Sequence, residues 1–315
     1  MIDVEGLSKV YPGSGVYEPK ALDEVTFQVP ERGVFGLLGA SGSGKTTVVR
    51  ILATILIPSA GHARIDGFDV VESPLAVQQS VGYMPAYPGF YPAFTAEEHL
   101  DYWGRFYRMP RAERSERAAV ILERLDLADD RTTKAKAFSY GMLKRLALAQ
   151  ALLHNPRALI LDEPLDGLEP EEIDFFRSTI RELARDGKTV LLSSHVFADV
   201  TPICTHLGLL ENGQLMAVGT VEDLHERIGT RGALRALVEC GEVSAPAMRS
   251  LQGLDHVIEV ARTEWGIVVT MDADARPEIN RVLVSQGVRV IALKLAELTL
   301  DDASAALAGG VSRGA

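Results

Sequence analysis

Residues 34–38, Val-Phe-Gly-Leu-Leu, are a continuous apolar run of the kind a buried strand makes, and a helical pattern starts at Lys45. Between the two, and into the helix, runs Gly39-Ala-Ser-Gly-Ser-Gly44-Lys45-Thr46, which fits G-x4-G-K-[ST]. Glycines let backbone N–H groups close around phosphate oxygens, and a helix N-terminus adds roughly half a unit of positive charge. Gly39, Ser41, Gly42, Ser43, Gly44 and Thr47 are therefore candidates to line a phosphate chain. Lys45 would reach the β and γ phosphates, and Thr46 would coordinate Mg2+. A glycine turn that binds nothing has no need of Lys and Thr in those two places.

A phosphate site of this kind also needs a carboxylate at a strand end. Leu159-Ile-Leu-Asp162-Glu163 supplies two, Asp162 for Mg2+ and Glu163 as base or water-orienting group. Read alone, the pair is equally a solvated strand terminus; the upstream loop decides against that. Residues 95–155 read as mostly helical, from a capping box at Thr95-Ala-Glu-Glu98 to a stop at Asn155-Pro156. Then come a strand at Ala158–Leu161, a helix from Pro170 to Arg185 ending at Gly187, and a strand at Thr189–Ser193. This alternation predicts an α/β fold with a mainly parallel sheet and a helical insertion.

Past residue 225 the pattern changes. Strands at 233–239, 256–261, 266–270 and 288–293, with helices at 245–251 and 277–286, give the order βαββαβ of a small ferredoxin-like α+β domain. The expected division is 1–225, 226–300 and a loose tail over 301–315. A chain of 315 residues, 47% apolar and 24% charged, is long enough for two such domains. The net charge of −11, with no long basic block, disfavours a nucleic acid partner. Cys204 and Cys240 lack the paired spacing of a zinc or redox motif, and Cys204-Thr-His206 has no partner cluster that would make it a metal site. No apolar run approaches a membrane span and the N-terminus lacks the pattern of a signal peptide, so the expected location is the cytoplasm, unless a partner holds the chain at a membrane.

Phe138-Ser139-Tyr-Gly141-Met142 with the helical run to Leu153, then Gly167-Leu-Glu-Pro170 and Ser193-Ser-His195, narrow the reading. In this order and at these distances they resemble the signature helix, D-loop and switch histidine of ABC-type ATPases. The resemblance covers roughly residues 1–225 and implies a P-loop NTPase of the ABC ATPase type with a helical subdomain at about 95–155. It implies ATP and Mg2+ as cofactors and Glu163 and His195 as catalytic residues. It also implies head-to-tail pairing with a second copy or a homologous ATPase subunit, each ATP lying between one phosphate loop and the other subunit's signature helix. Ser139 and the N–H of Gly141 would then face the partner's γ-phosphate, and Tyr11 would stack on adenine. In isolation Ser139 is equally a plain helix cap, and Tyr11 a surface tyrosine.

The sequence departs from that family's pattern at three positions. Ala86 stands where Gly-Tyr-x-Pro is normally followed by glutamine in the Q-loop, Glu169 replaces the D-loop aspartate, and Tyr140 replaces the first signature glycine. These substitutions imply slow turnover. They leave open a low-turnover regulatory or assembly module, or a degenerate half of a heterodimer.

Nine of the chain's twenty aromatic residues fall between Tyr83 and Tyr107. In the family this segment receives a coupling helix from polytopic membrane subunits, so Tyr87, Phe90, Tyr91 and Phe94 are expected to dock such a partner. Leu100, Trp103 and Tyr107, with Tyr102 and Phe106, are expected to pack inside the helical insertion instead. With the βαββαβ appendage, the whole looks most like the ATP-binding subunit of a drug or antibiotic exporter, held on the inner face of the cell membrane by its partners. The appendage itself reads as dimer support or packing, with ligand sensing as the alternative.

Overall fold

The computed structural model describes residues 2–12, 20–224, 234–241, 243–263 and 265–295, so the tail expected over 301–315 lies outside the described residues. The chain divides into two compact units, Met1–Val221 and Glu222–Ala315.

The first unit holds two sheets. The strands β1 (Ile2–Val10), β2 (Lys20–Val29), β4 (Ala60–Ile65) and β5 (Phe68–Asp69) form an antiparallel sheet in the order β2-β1-β4-β5. The larger sheet contains β3 (Val34–Leu38), β6 (Val81–Met84), β7 (Ala158–Leu161), β8 (Thr189–Ser194), β9 (His206–Glu211) and β10 (Gln214–Thr220). Its order is β10-β9-β3-β8-β7-β6, and every pair is parallel except the β9–β10 hairpin. That hairpin turns through Asn212 and Gly213, both at positive φ, as a tight two-residue turn requires.

All residues of β3, β7 and β8 are buried, which is why their sequences run apolar without alternation. Helix α1 (Lys45–Leu52) follows β3, and its Val48, Val49, Ile51 and Leu52 join residues of both sheets in one core. Helix α2 (Pro74–Ser80) leads into β6. The helical insertion lies between β6 and β7 and comprises α3 (Ala96–Phe106), α4 (Arg111–Arg124) and α5 (Tyr140–Leu152). The capping box at Thr95 is formed: Glu98 N–H donates to Thr95 Oγ1 at 3.2 Å and Thr95 N–H to Glu98 Oε2 at 2.8 Å. Helices α6 (Pro170–Arg185) and α7 (Phe197–Val200) complete the unit.

Within the insertion Leu100 is buried, and Tyr107 stacks on His154 with ring centroids 3.8 Å apart and planes at 8°. Phe106 departs from the expectation of packing. Its ring meets Tyr102 edge-on at 5.1 Å, yet the residue is 63% exposed. It sits in the last turn of α3, where the inward stripe already taken by Leu100, Trp103 and Tyr107 leaves it outside.

The second unit runs β11 (Leu234–Cys240), α8 (Ala245–Gln252), β12 (Val257–Thr263), β13 (Gly266–Met271), α9 (Arg276–Ser285) and β14 (Val290–Leu295). Its sheet order is β12-β13-β11-β14 with antiparallel neighbours, the topology expected of βαββαβ. Ile267, Val269 and Met271 alternate inward from β13 and meet Ile279 and Leu283 of α9 in a separate core.

Candidate functional site

The turn from β3 to α1 is shaped by glycines that cannot carry a side chain. Gly44 caps α1 at φ 111°, and a Cβ there would stand 2.6 Å from Ala21 O and 2.8 Å from Leu22 Cδ2. A Cβ on Gly39 would collide with Leu210 O and Ser43 Oγ. Lys45 is only 5% exposed; its ammonium donates to Gly39 O at 2.7 Å and Ala40 O at 3.0 Å and lies 3.4 Å from Glu163 Oε1. Ser43 Oγ is buried with no hydrogen-bond partner among the described residues. An unsatisfied hydroxyl, a buried ammonium and glycine-lined backbone within one turn form a donor set suited to phosphate oxygens.

The carboxylates arrive from the C-terminal ends of the neighbouring strands, the edge of a parallel sheet where ligands bind. Asp162 is 2% exposed, and its Oδ1 accepts from Ser193 Oγ at 2.7 Å and Thr46 Oγ1 at 3.3 Å. Burial raises the pKa of its carboxyl, opposed by those two hydroxyls. One hydroxyl and one carboxylate converging here fit Mg2+, which keeps waters and phosphate oxygens for its other positions.

Glu163 follows in the left-handed region, φ 44°. Its N–H donates to Ser193 Oγ at 2.8 Å, and its Oε2 accepts from the His195 backbone N–H at 3.3 Å and lies 2.9 Å from His195 Nδ1. His195 Nε2 is 4.0 Å from Asp166 Oδ1. A cavity of about 490 Å³ is lined by Ser41, Gly42, Gly44, Lys45, Thr46, Thr47, Glu163 and His195. Tyr11 borders the loop, its hydroxyl 3.4 Å from Thr47 Oγ1 and its ring half-exposed.

The other expected site residues lie elsewhere. Ser139 caps α5, its Oγ accepting Met142 N–H at 3.2 Å, and neither it nor Gly141 lines that cavity. A Cβ at 141 would stand 2.7 Å from Cδ of Glu172, whose carboxylate is clamped by Arg145 through two bonds of 3.0 Å, so a side chain there would have to displace that pair. The ring of Tyr140 leans over Gly167. The four aromatic residues expected to dock a partner are not brought together. Tyr87, 79% exposed, lines the phosphate-loop cavity, whereas Phe90, Tyr91 and Phe94 pack around His99 and Tyr102.

Three features went unread in the sequence. Ser193 bridges Asp162 and Glu163 through one hydroxyl. Lys144 is fully buried, and its ammonium donates to Ala86 O at 3.0 Å and Glu163 O at 2.9 Å. The available signal was a lysine on the stripe 144, 147, 148, 151, whose other members are Ala147, Leu148 and Ala151. A second cavity, about 520 Å³ and mostly apolar, opens between the core and the insertion, walled by Ile55, Leu75, Tyr83, Trp103, Phe106 and Tyr107. Ile55 and Leu75, both exposed, were its only visible trace outside the aromatic segment.

Residues 22–166 match the family model described as ABC transporter. The daunorubicin resistance ATP-binding protein DrrA3 of Streptomyces coeruleorubidus is 31% identical over 98% of this chain and 96% of its own length. The linearmycin resistance ATP-binding protein LnrL of Bacillus subtilis (strain 168) is 28% identical over 96% of both. Among solved structures, the dimeric post-hydrolysis state of the ATP-binding cassette MJ0796 bound to ADP and Pi superimposes with a TM-score of 0.64 at 25% identity, covering 70% of this chain and 99% of that one. The chain belongs to the ABC transporter family, as an ATP-binding ATPase subunit.

Proposed function

We propose that this chain is the motor of an exporter, binding MgATP at Gly39–Thr47, pairing head to tail with a second copy or a homologous subunit, and driving separate polytopic membrane subunits from the inner face of the membrane. The observation that carries the proposal is the convergence of Lys45, Glu163 and His195: Glu163 holds the ammonium of Lys45 at 3.4 Å on one oxygen and His195 Nδ1 at 2.9 Å on the other. Support for pairing comes from the dimeric relative, and support for export from the resistance names of DrrA3 and LnrL.

In this reading the loop N–H groups, Ser43 Oγ and Lys45 hold the phosphates, while Tyr11 offers its ring to the base. Thr46 and Asp162 would hold Mg2+, which when bound would neutralise charge on the phosphates. Glu163 takes the proton of the attacking water, its carboxylate aimed by His195. Ser139 and Gly141, away from their own chain's loop, serve the nucleotide of the partner. Among the described residues no helix is long and apolar enough to cross a membrane, so the pathway is assigned to other subunits.

Glu163→Gln tests the reading. Hydrolysis should fall by about 10² to 10⁴, the range for loss of a general base, with ATP binding retained and an ATP-dependent dimer accumulating in size-exclusion chromatography. A second reading, a low-turnover nucleotide-dependent module, is favoured by Ala86, which offers no amide to the site. A wild-type rate no higher than that of Glu163→Gln, with ATP still bound, would select it.

A further inference from the structure

The reaction outlined above leaves one buried charge unused. Lys144 is fully buried on α5, and its acceptors are two main-chain carbonyls, at Ala86, 58 residues away in sequence, and Glu163, 19 away. Those residues follow β6 and β7, which lie side by side and parallel. One ammonium therefore ties the signature helix to the loops that leave two neighbouring strands at the edge where the phosphate loop opens.

What it does to Glu163 follows from the backbone there. A non-glycine residue at φ 44° persists only where its surroundings hold it. Both ends of the residue are held: its N–H by Ser193 Oγ at 2.8 Å and its C=O by Lys144 at 2.9 Å. With the backbone fixed, the carboxylate reaches His195 Nδ1 on one side and Lys45 on the other. A desolvated ammonium is costly unless its donors are used, and burial accordingly lowers the pKa of Lys144 while Asp166, Glu163 and Asp162 raise it. A helix made only to pack would carry an apolar residue at this position, as Ala147, Leu148 and Ala151 do.

We propose that Lys144 is a positioning residue that holds the Glu163 carboxylate in its reactive orientation and makes that orientation depend on the placement of α5, whose Ser139 cap would face the partner's nucleotide. The inference rests on the reading of Glu163 as the catalytic base. A shift of α5 on engagement of Ser139 would move Lys144, one and a half turns along the same helix, and with it the Glu163 carbonyl.

The test is steady-state ATP hydrolysis by the full chain, with MgATP affinity from a fluorescent ATP analogue, for wild type, Lys144→Met, Lys144→Arg, Lys188→Met and Glu163→Gln. Lys144→Met should lower kcat by about 10²-fold, the size of effect a small misplacement of a reacting group produces, with ATP affinity unchanged within about twofold. Lys144→Arg, whose guanidinium can serve both carbonyls, should recover most of that loss. Lys188 also donates to a carbonyl, Pro156 O at 2.7 Å, but away from the site, so Lys188→Met should lower the thermal midpoint and leave kcat unchanged. If Lys144→Met does not fold, Lys144→Gln, whose amide keeps a polar group but ends one bond short of where the ammonium meets the two carbonyls, should show the same loss of kcat at unchanged affinity. Wild-type kcat in a folded Lys144→Met or Lys144→Gln protein, or a change in affinity alone, overturns the proposal. A Glu163→Gln enzyme that keeps its rate overturns the reading of Glu163 instead.

Discussion

Glu163 Oε2 lies 2.9 Å from His195 Nδ1 and accepts the backbone N–H of the same histidine at 3.3 Å. Two contacts from one residue fix that oxygen, leaving Oε1 toward Lys45. His195→Ala removes the ring and keeps the N–H. The expected result is a fall in kcat of about 10²-fold, because the carboxylate regains rotational freedom, with little change in ATP affinity. Single-turnover hydrolysis with saturating MgATP separates this from a binding defect, which would appear as loss of nucleotide at equilibrium.

Asp162 carries the opposite conflict between stability and function. Burial raises its carboxyl pKa in the folded chain, so the stability it contributes is full below the unfolded pKa and is lost as pH rises through the folded value. At neutral pH its charge therefore opposes folding. Asp162→Asn should raise the thermal midpoint of the nucleotide-free protein, because the neutral amide avoids the cost of burying a charge there. The same substitution should abolish the Mg2+-dependent part of hydrolysis, and excess EDTA should do so in wild type. A lowered midpoint in Asp162→Asn would contradict the assignment of desolvation as the larger effect.

His154 is an acid-sensitive point of the helical insertion, as is the buried His99, whose pKa burial also lowers. Burial pushes its pKa down to about 4, and the neutral ring stacks on Tyr107 while Nε2 meets Val81 O at 3.0 Å. The folded pKa lies below the unfolded value, so the stability is present above about 6.5 and is lost as pH falls toward 4. The loss is on the order of 2–3 kcal/mol across that window. Urea unfolding at pH 7 and pH 4.5 measures it. His154→Gln, which cannot be protonated, should be less stable than wild type at pH 7 yet show a smaller drop between the two values.

The legible parts of the sequence were those whose physics is local. Gly39 to Thr46 declared a strand-to-helix turn because glycine, lysine and threonine are each required in place, and the six elements after residue 233 declared themselves by period and punctuation. Lys144 was hidden because its acceptors come from chain segments 58 and 19 residues away. Ser193 was hidden in the same way: a serine at a strand end has many roles, and only the β7–β8 pairing sets it between Asp162 and Glu163. Tyr87 stands apart from the aromatic residues grouped with it in the sequence. Its neighbours in sequence, Phe90 to Phe94, turn to the helical insertion, while the chain direction after Ala86 leaves its own ring on the phosphate-loop cavity.

That separation sets two loci against each other. If membrane subunits dock in the apolar groove, Ile55 and Leu75 are exposed apolar residues on one side of it and Phe106 on the other. Burying a side chain of this kind stabilises a contact by about 1.5–3 kcal/mol, so Ile55→Asp with Leu75→Asp should weaken binding by about a hundredfold or more. Hydrolysis by the isolated subunit should persist, since neither residue lines the phosphate-loop cavity. Tyr87→Ala should do the reverse, altering hydrolysis while partner recovery is kept. Co-purification of polytopic protein from detergent-solubilised membranes, with ATPase assays on the same preparations, reads both. Loss of the partner in Tyr87→Ala with none in the double aspartate variant would move docking back to the tyrosine loop.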